Sequence, residues 1–191
     1  SHSLEQGRVE TLQFDAAIFT NLTREHLDFH KNMEEYLNAK LKLFSKIKLR
    51  GAAIVNIDDP ASEKIIQKVK AEGKAKIITY AIDREADIRA LDIKLSCDGL
   101  KFKLSVSSRL SAYGGSLEQH VPSVAEGYSS SGVSPSTSLG INFANEVEKC
   151  IDIGSNLIGR HNIYNILAAA GAGVSLGMSL GDIKKGVEAL K

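Results

Sequence analysis

Cysteine and proline are scarce in this chain, with two of the first and three of the second. Cys97 and Cys150 make neither a disulfide framework nor a metal-ligand spacing, which leaves a reducing compartment as the default. Excess charge of either sign is missing too. Lys and Arg number 24 against 23 Asp and Glu, and a net charge of +1 predicts no strong attraction to polyanions or to an anionic membrane. The single basic run, Lys40, Lys42, Lys46, Lys48 and Arg50, is best read as a solvated helix face, so no nucleic-acid partner is expected. Long apolar stretches are absent as well: Ile166 to Leu176 is broken by glycine and too short to span a bilayer. No signal peptide is visible, and the opening SHSLEQ has neither an initiator methionine nor a run-up to a first element. The chain is therefore expected to be a piece of something longer.

What is present is a 43% hydrophobic composition over 191 residues, enough for one domain with a sizeable core. Ala16 to Phe19 is an unbroken apolar run that suits a strand covered on both faces. Asn32 with Glu35 has the spacing of a capping box, and Met33, Tyr36, Leu37, Leu41, Phe44 and Ile47 follow at helical spacing. Gly51 to Ile57 predicts a second buried strand. Asp59 as N-cap and Pro60 at the first helical position then predict a helix from about Ala61 to Glu72, and Lys76 to Ala81 a third strand. This alternation implies an α/β fold, a mostly parallel sheet flanked by helices. From Asp87 to Val106 the period changes to two around a Cys97-Asp98-Gly99 turn, an antiparallel hairpin. Residues 107–146 are rich in Ser and Gly, hold two of the three prolines and show no sustained period, so a disordered insertion is expected there. Val147 to Ile153 returns to alternation. An Ala-rich helix then begins near Asn162 and Asn165, which lie three apart on one face near its positive end; Gly177 ends it and Ser179 caps the next.

Lys40 stands inside the first apolar stripe, four residues from both Tyr36 and Phe44. A lysine there must snorkel, pair, lose its proton or be chemically changed. Just before it, His26-x-Asp28-x-His30 follows the first strand, in the zone beyond strand carboxyl ends where α/β sheets bind ligands. Imidazole and carboxylate together also suit a zinc or iron hydrolase, but only His2, His120 and His161 remain elsewhere and no second cluster completes such a site.

His26 and Lys40 in the frame FTNLTREHLDFH…EEYLNAK, Asn-x-Asp-Asp at Asn56 to Asp59, and Gly-Arg-His-Asn-x-x-Asn at Gly159 to Asn165 closely resemble the central domain of the Mur ligases. Within that family the likeness is greatest to the UDP-N-acetylmuramoyl-L-alanyl-D-glutamate ligases that add the third peptide residue. It covers Ser1 to about Val106 and Ile151 to Lys191, and makes residues 1–191 a partial central domain. The resemblance implies a P-loop-NTPase-like fold and an ATP- and Mg2+-dependent ligase of peptidoglycan synthesis, working through an acyl phosphate. It implies that His26 and a carbamylated Lys40 hold Mg2+, that Asn162, Asn165 and His161 contact ATP, and that Gln6 and Arg8 contact the UDP-N-acetylmuramoyl-dipeptide. The amino acid is the other small-molecule partner, and a monomer in a cytoplasm or a plastid stroma is expected. The family's Gly-rich phosphate loop and acidic Mg2+ ligand belong upstream of Ser1, and its amino-acid-selecting domain belongs beyond Lys191. A non-catalytic remnant or a plastid-type homologue acting as a binding protein is therefore the alternative.

Overall fold

The alternating apolar strands and amphipathic helices assemble as one sheet with helices on both faces. The structure, a computed structural model, describes residues 8–23, 32–113 and 148–190. In chain order the elements are β1 (Phe14–Phe19), α1 (Met33–Ser45), β2 (Ile47–Asn56), α2 (Ser62–Glu72), β3 (Lys76–Ala81), β4 (Ile88–Ser96), β5 (Gly99–Val106), a short 3-10 helix (Ser108–Tyr113), β6 (Lys149–Ser155), α3 (Arg160–Ser175) and α4 (Leu180–Glu188). The six strands lie side by side in sequence order. β1 to β4 pair in parallel, and β4, β5 and β6 pair antiparallel. Among the described residues no helix is long and apolar enough to cross a membrane.

Each face of the parallel part has its own core. Ala17, Phe19, Ala53 and Val55 meet Leu37 and Phe44 of α1 and Ile65 and Val69 of α2. Ala52, Ile54, Ile78 and Tyr80 meet Ile163, Ile166, Leu167 and Ala170 of α3 on the other side. Burial on both faces is why β2 shows a continuous apolar run instead of alternation; β1, at the edge of the sheet, departs from that expectation, with Ile18 37% exposed. Fully burying a side chain such as Ile54 or Ile65 contributes about 1.5–3 kcal/mol. The small residues of α3 let it lie directly on the sheet: a Cβ on Gly171 would stand 2.7 Å from Ile54 Cγ2.

Asn32 caps α1 as its spacing predicts, its side-chain oxygen accepting the Glu35 N–H at 2.8 Å. Ile47 departs from expectation. It is not the last residue of the helical stripe but the first of β2, paired with Phe14. The β1–β2 register then shifts before resuming at Ala16 and Ala52, and Arg50 within the shift has φ 67. That irregularity hides the first residues of β2 from a periodicity argument, which starts the strand at Gly51. At the other side of the sheet the outer edge of β6 is covered by α4. Lys184 donates to the Asp152 carbonyl at 2.5 Å, and the Gly154 N–H donates to Glu188 at 3.2 Å.

The expected insertion needs a correction at its start. Ser107 to Leu110 are part of the packed structure, with the Ser107 N–H donated to the Asp87 carbonyl at 2.8 Å and Leu110 2% exposed in the α3-side core. The Arg109 guanidinium forms a two-pronged pair with the buried Asp87 carboxylate, which also accepts the Thr79 N–H and hydroxyl. One leucine and one ion pair anchor this stretch, too little to alter its composition. Residues 114–147 lie outside the described residues. Leu110→Ala is expected to destabilise the chain by about 2–5 kcal/mol, read as a lowered urea midpoint; an unchanged midpoint would place Leu110 outside the core.

Candidate functional site

Parallel strands end side by side, and here the residues after β2 tie the three ends together. Asn56, 5% exposed, donates its amide to the Thr20 carbonyl at 2.7 Å and accepts the Asp58 N–H at 3.0 Å. The Tyr80 hydroxyl donates to the Phe19 carbonyl at 3.1 Å. Asp59 accepts the Leu22 N–H at 2.7 Å and the Ala61 N–H at 2.8 Å. It thus closes the turn before α2 and pins the chain leaving β1, whereas the residue at the N-cap of α2 is Ala61, with no side-chain cap.

Of Asn56, Asp58 and Asp59, Asp58 gathers the most donors. Its Oδ2 accepts the N–H groups of Ile82 and Asp83 at 2.7 and 3.1 Å and the Tyr164 hydroxyl at 2.9 Å. Its Oδ1 is buried without a hydrogen-bond partner. Arg160 adds a second tie from α3, donating to Asp83 at 2.5 Å. The first turn of α3, which carries the positive end of the helix dipole, is thereby tied to the loops at the carboxyl ends of β2 and β3.

Asn162 and Asn165 stand on that turn. The Asn165 amide donates to Asn162 Oδ1 at 3.1 Å, and the Asn162 amide donates to the Ile158 carbonyl at 2.8 Å. The shared face inferred from their spacing is therefore present, with Asn165 exposed and Asn162 half-buried. His161 is exposed beside them, its ring folded onto Gly159, where a Cβ would meet it at 2.8 Å. Gly159 has φ 92, a conformation that favours glycine, whereas the exposed His161 ring could turn aside from a side chain there.

Lys40 is half-buried, with its ammonium 4.8 Å from the centroid of the Tyr36 ring, one helical turn away. Of the options open to a lysine in this stripe, the structure shows pairing with an aromatic face. Arg8 is exposed in the turn before β1. Gln6, His26, Asp28 and His30 lie outside the described residues, so neither the magnesium set nor the alternative hydrolase cluster is seen. Among the described residues no group of three or more His, Cys, Asp or Glu could hold a metal ion, and an unmodified Lys40 offers only donors. The described residues alone do not fit Mg2+; the asparagine pair, Asn165 exposed and Asn162 half-buried, puts carboxamide donors and acceptors together at the N-terminus of α3.

The family model of the Mur ligase middle domain matches residues 1–173. The chain belongs to the Mur ligase family. It is similar to the UDP-N-acetylmuramoyl-L-alanyl-D-glutamate–2,6-diaminopimelate ligase of Clostridium perfringens, 46% identical over 107 residues covering 56% of the chain and 22% of the relative. It is also similar to the ligase of the same name from Geobacter metallireducens, 34% identical over 194 residues covering 98% of the chain and 29% of the relative. A solved structure of a ligase with that name superposes with a TM-score of 0.70 at 25% identity, covering all of this chain and 31% of the other. The MurF ligase of Thermotoga maritima in complex with ADP shares the fold, with a TM-score of 0.60 at 14% identity over 96% of this chain and 32% of that one. The chain thus spans less than a third of the length of these relatives.

Tyr164 and Asp83 were not singled out by sequence, and Asp58 and Arg160 entered only inside the Asn-x-Asp-Asp and Gly-Arg-His-Asn patterns, with no role in placing α3. Burial first, then the hydrogen bond to Asp58 and the charges of Asp58 and Asp83, push the Tyr164 phenol up to about 12 from its ordinary 10.0. A raised phenol favours the protonated folded state. Its contribution is complete below about pH 10 and is lost as pH rises through about 12. The unfolding midpoint is expected to fall across that window, and to fall less in Tyr164→Phe; identical profiles would remove Tyr164 from the linkage.

Proposed function

We propose that this chain is the nucleotide-handling middle part of a cytoplasmic, ATP-dependent ligase that adds an amino acid to UDP-N-acetylmuramoyl-L-alanyl-D-glutamate. The observation that supports it best is the Asn162–Asn165 pair on the first turn of α3, set over the carboxyl edge of a parallel sheet. When bound, ATP supplies the phosphoryl group that activates the substrate carboxylate for attack by the amine of the incoming amino acid. The asparagine carboxamides offer the donor and acceptor that an adenine edge requires, and His161 flanks them. The positive end of α3 favours the negative charge of a nucleotide nearby. Gln6 and Arg8 are assigned to the muramoyl-peptide, Arg8 through a planar fork matched to carboxylate or phosphate. The names of the relatives support the substrate assignment.

His26 and Lys40 are assigned to Mg2+, with Lys40 as its carbamate. Once the ammonium has lost its proton, the neutral amine would form an N–C bond to carbon dioxide and release a second proton. The product is a carbamate whose single negative charge is shared by two oxygens, the ligand type that Mg2+ prefers. The contact with the Tyr36 ring is made by the ammonium, so carbamylation would give up that cation–π attraction.

Asn165→Ala is expected to weaken ATP binding about tenfold and to narrow the preference for ATP over GTP, read by ligand-observed NMR. Equal affinities in variant and parent would overturn the adenine assignment. For Lys40, a carbamate carbon signal is expected in 13C-bicarbonate and should vanish in Lys40→Ala. Its absence from the unaltered protein in excess bicarbonate, in a chain that includes any upstream phosphate loop, would remove the carbamate role.

A further inference from the structure

The helix that carries the asparagine pair lacks a cap of its own. Gly159 precedes α3 without a side-chain hydrogen bond to its first turn. A helix end of this kind is free to shift, yet an adenine edge is read only if two carboxamides stay within hydrogen-bond reach of it. Two side chains from the first turn and a half of α3 supply the missing restraint by reaching down to separate loops, Tyr164 to Asp58 after β2 and Arg160 to Asp83 after β3.

We propose that Tyr164 and Asp58 are a positioning pair that sets the first turn of α3 for nucleotide recognition, which rests on the adenine reading of Asn162 and Asn165. Asp58 is arranged for this role at some cost. Its Oδ2 takes three donors while its Oδ1 stays buried and unpartnered. Here its direction is fixed by two backbone N–H groups, so the hydroxyl of Tyr164 finds a stationary acceptor. The restraint then runs from the Thr20 carbonyl through Asn56 and Asp58 to Tyr164, which Asn165 follows directly and Asn162 precedes by two residues on the same opening turns of α3. Tyr164 touches no nucleotide in this scheme; its effect passes through Asn162 and Asn165.

The test is ATP affinity by ligand-observed NMR on the chain with any upstream phosphate loop included and on three variants of it, each with its thermal midpoint. Tyr164→Phe removes one hydroxyl, Asn165→Ala removes a proposed base contact, and Ser45→Ala removes the 2.5 Å bond to Glu72 at the far ends of α1 and α2. The expected result is ATP binding about five- to tenfold weaker in Tyr164→Phe, with Ser45→Ala binding like the parent at a comparable loss of thermal midpoint. Parent-like binding by Tyr164→Phe beside weakened Asn165→Ala would overturn the positioning role and leave the adenine reading standing. Parent-like binding by Asn165→Ala, or no ATP binding by the parent, would overturn both. Equal weakening by Ser45→Ala would reduce the effect to general stability and also overturn the proposal.

Discussion

Three parallel strands that finish at one level leave a row of backbone N–H and C=O groups facing the same way, and these must be satisfied or solvated. In this chain short polar side chains after β2 answer that demand. Asn56 reaches back to the end of β1, Asp59 holds the chain just beyond it, and Asp58 turns to the loop after β3. Amides and carboxylates one or two carbons from the backbone have little rotamer freedom to lose, so the bonds they make hold a loop firmly. The candidate site depends on this knot, because α3 is docked to it through Tyr164 and Arg160.

The packing beneath the knot makes it possible. α3 lies close to the sheet because its inner face is small, and Ile54 occupies the space that a side chain on Gly171 would take. α1 and α2 cover the opposite face, and among the described residues the two cores form separate clusters on the two sides of the sheet. Binding edge and scaffold are thus separated: apolar burial holds the layers, while a few hydrogen bonds at one edge aim the polar groups. The same economy appears at β6, where α4 closes the strand edge with Lys184 and Glu188.

Strand and helix positions were largely legible because burial on both faces, capping boxes and period-two alternation are local signals. Asn32, Gly73 and Ser179 punctuate the helices as their residue types suggest. The asparagine pair was legible for the same reason, since a spacing of three on a helix shares a face. What stayed hidden needed a distant partner. Ile47 belongs to a strand because Phe14 lies beside it, Leu110 to a core because α3 covers it, and Asp87 is buried because Thr79 and Arg109 satisfy it. Lys40 falls between the two: its conflict with the apolar stripe is local, and so is its answer, since Tyr36 is one turn away.

By itself the sequence determined the fold class, the order of the elements and the family, because these rest on periodicity and on residue patterns that local physics already constrains. Only the tertiary structure decided that Tyr164 and Arg160 bind α3 to the loops after β2 and β3. Those contacts join residues 106 and 77 positions apart, and no local preference can encode a hydrogen bond whose acceptor exists only once the sheet has formed.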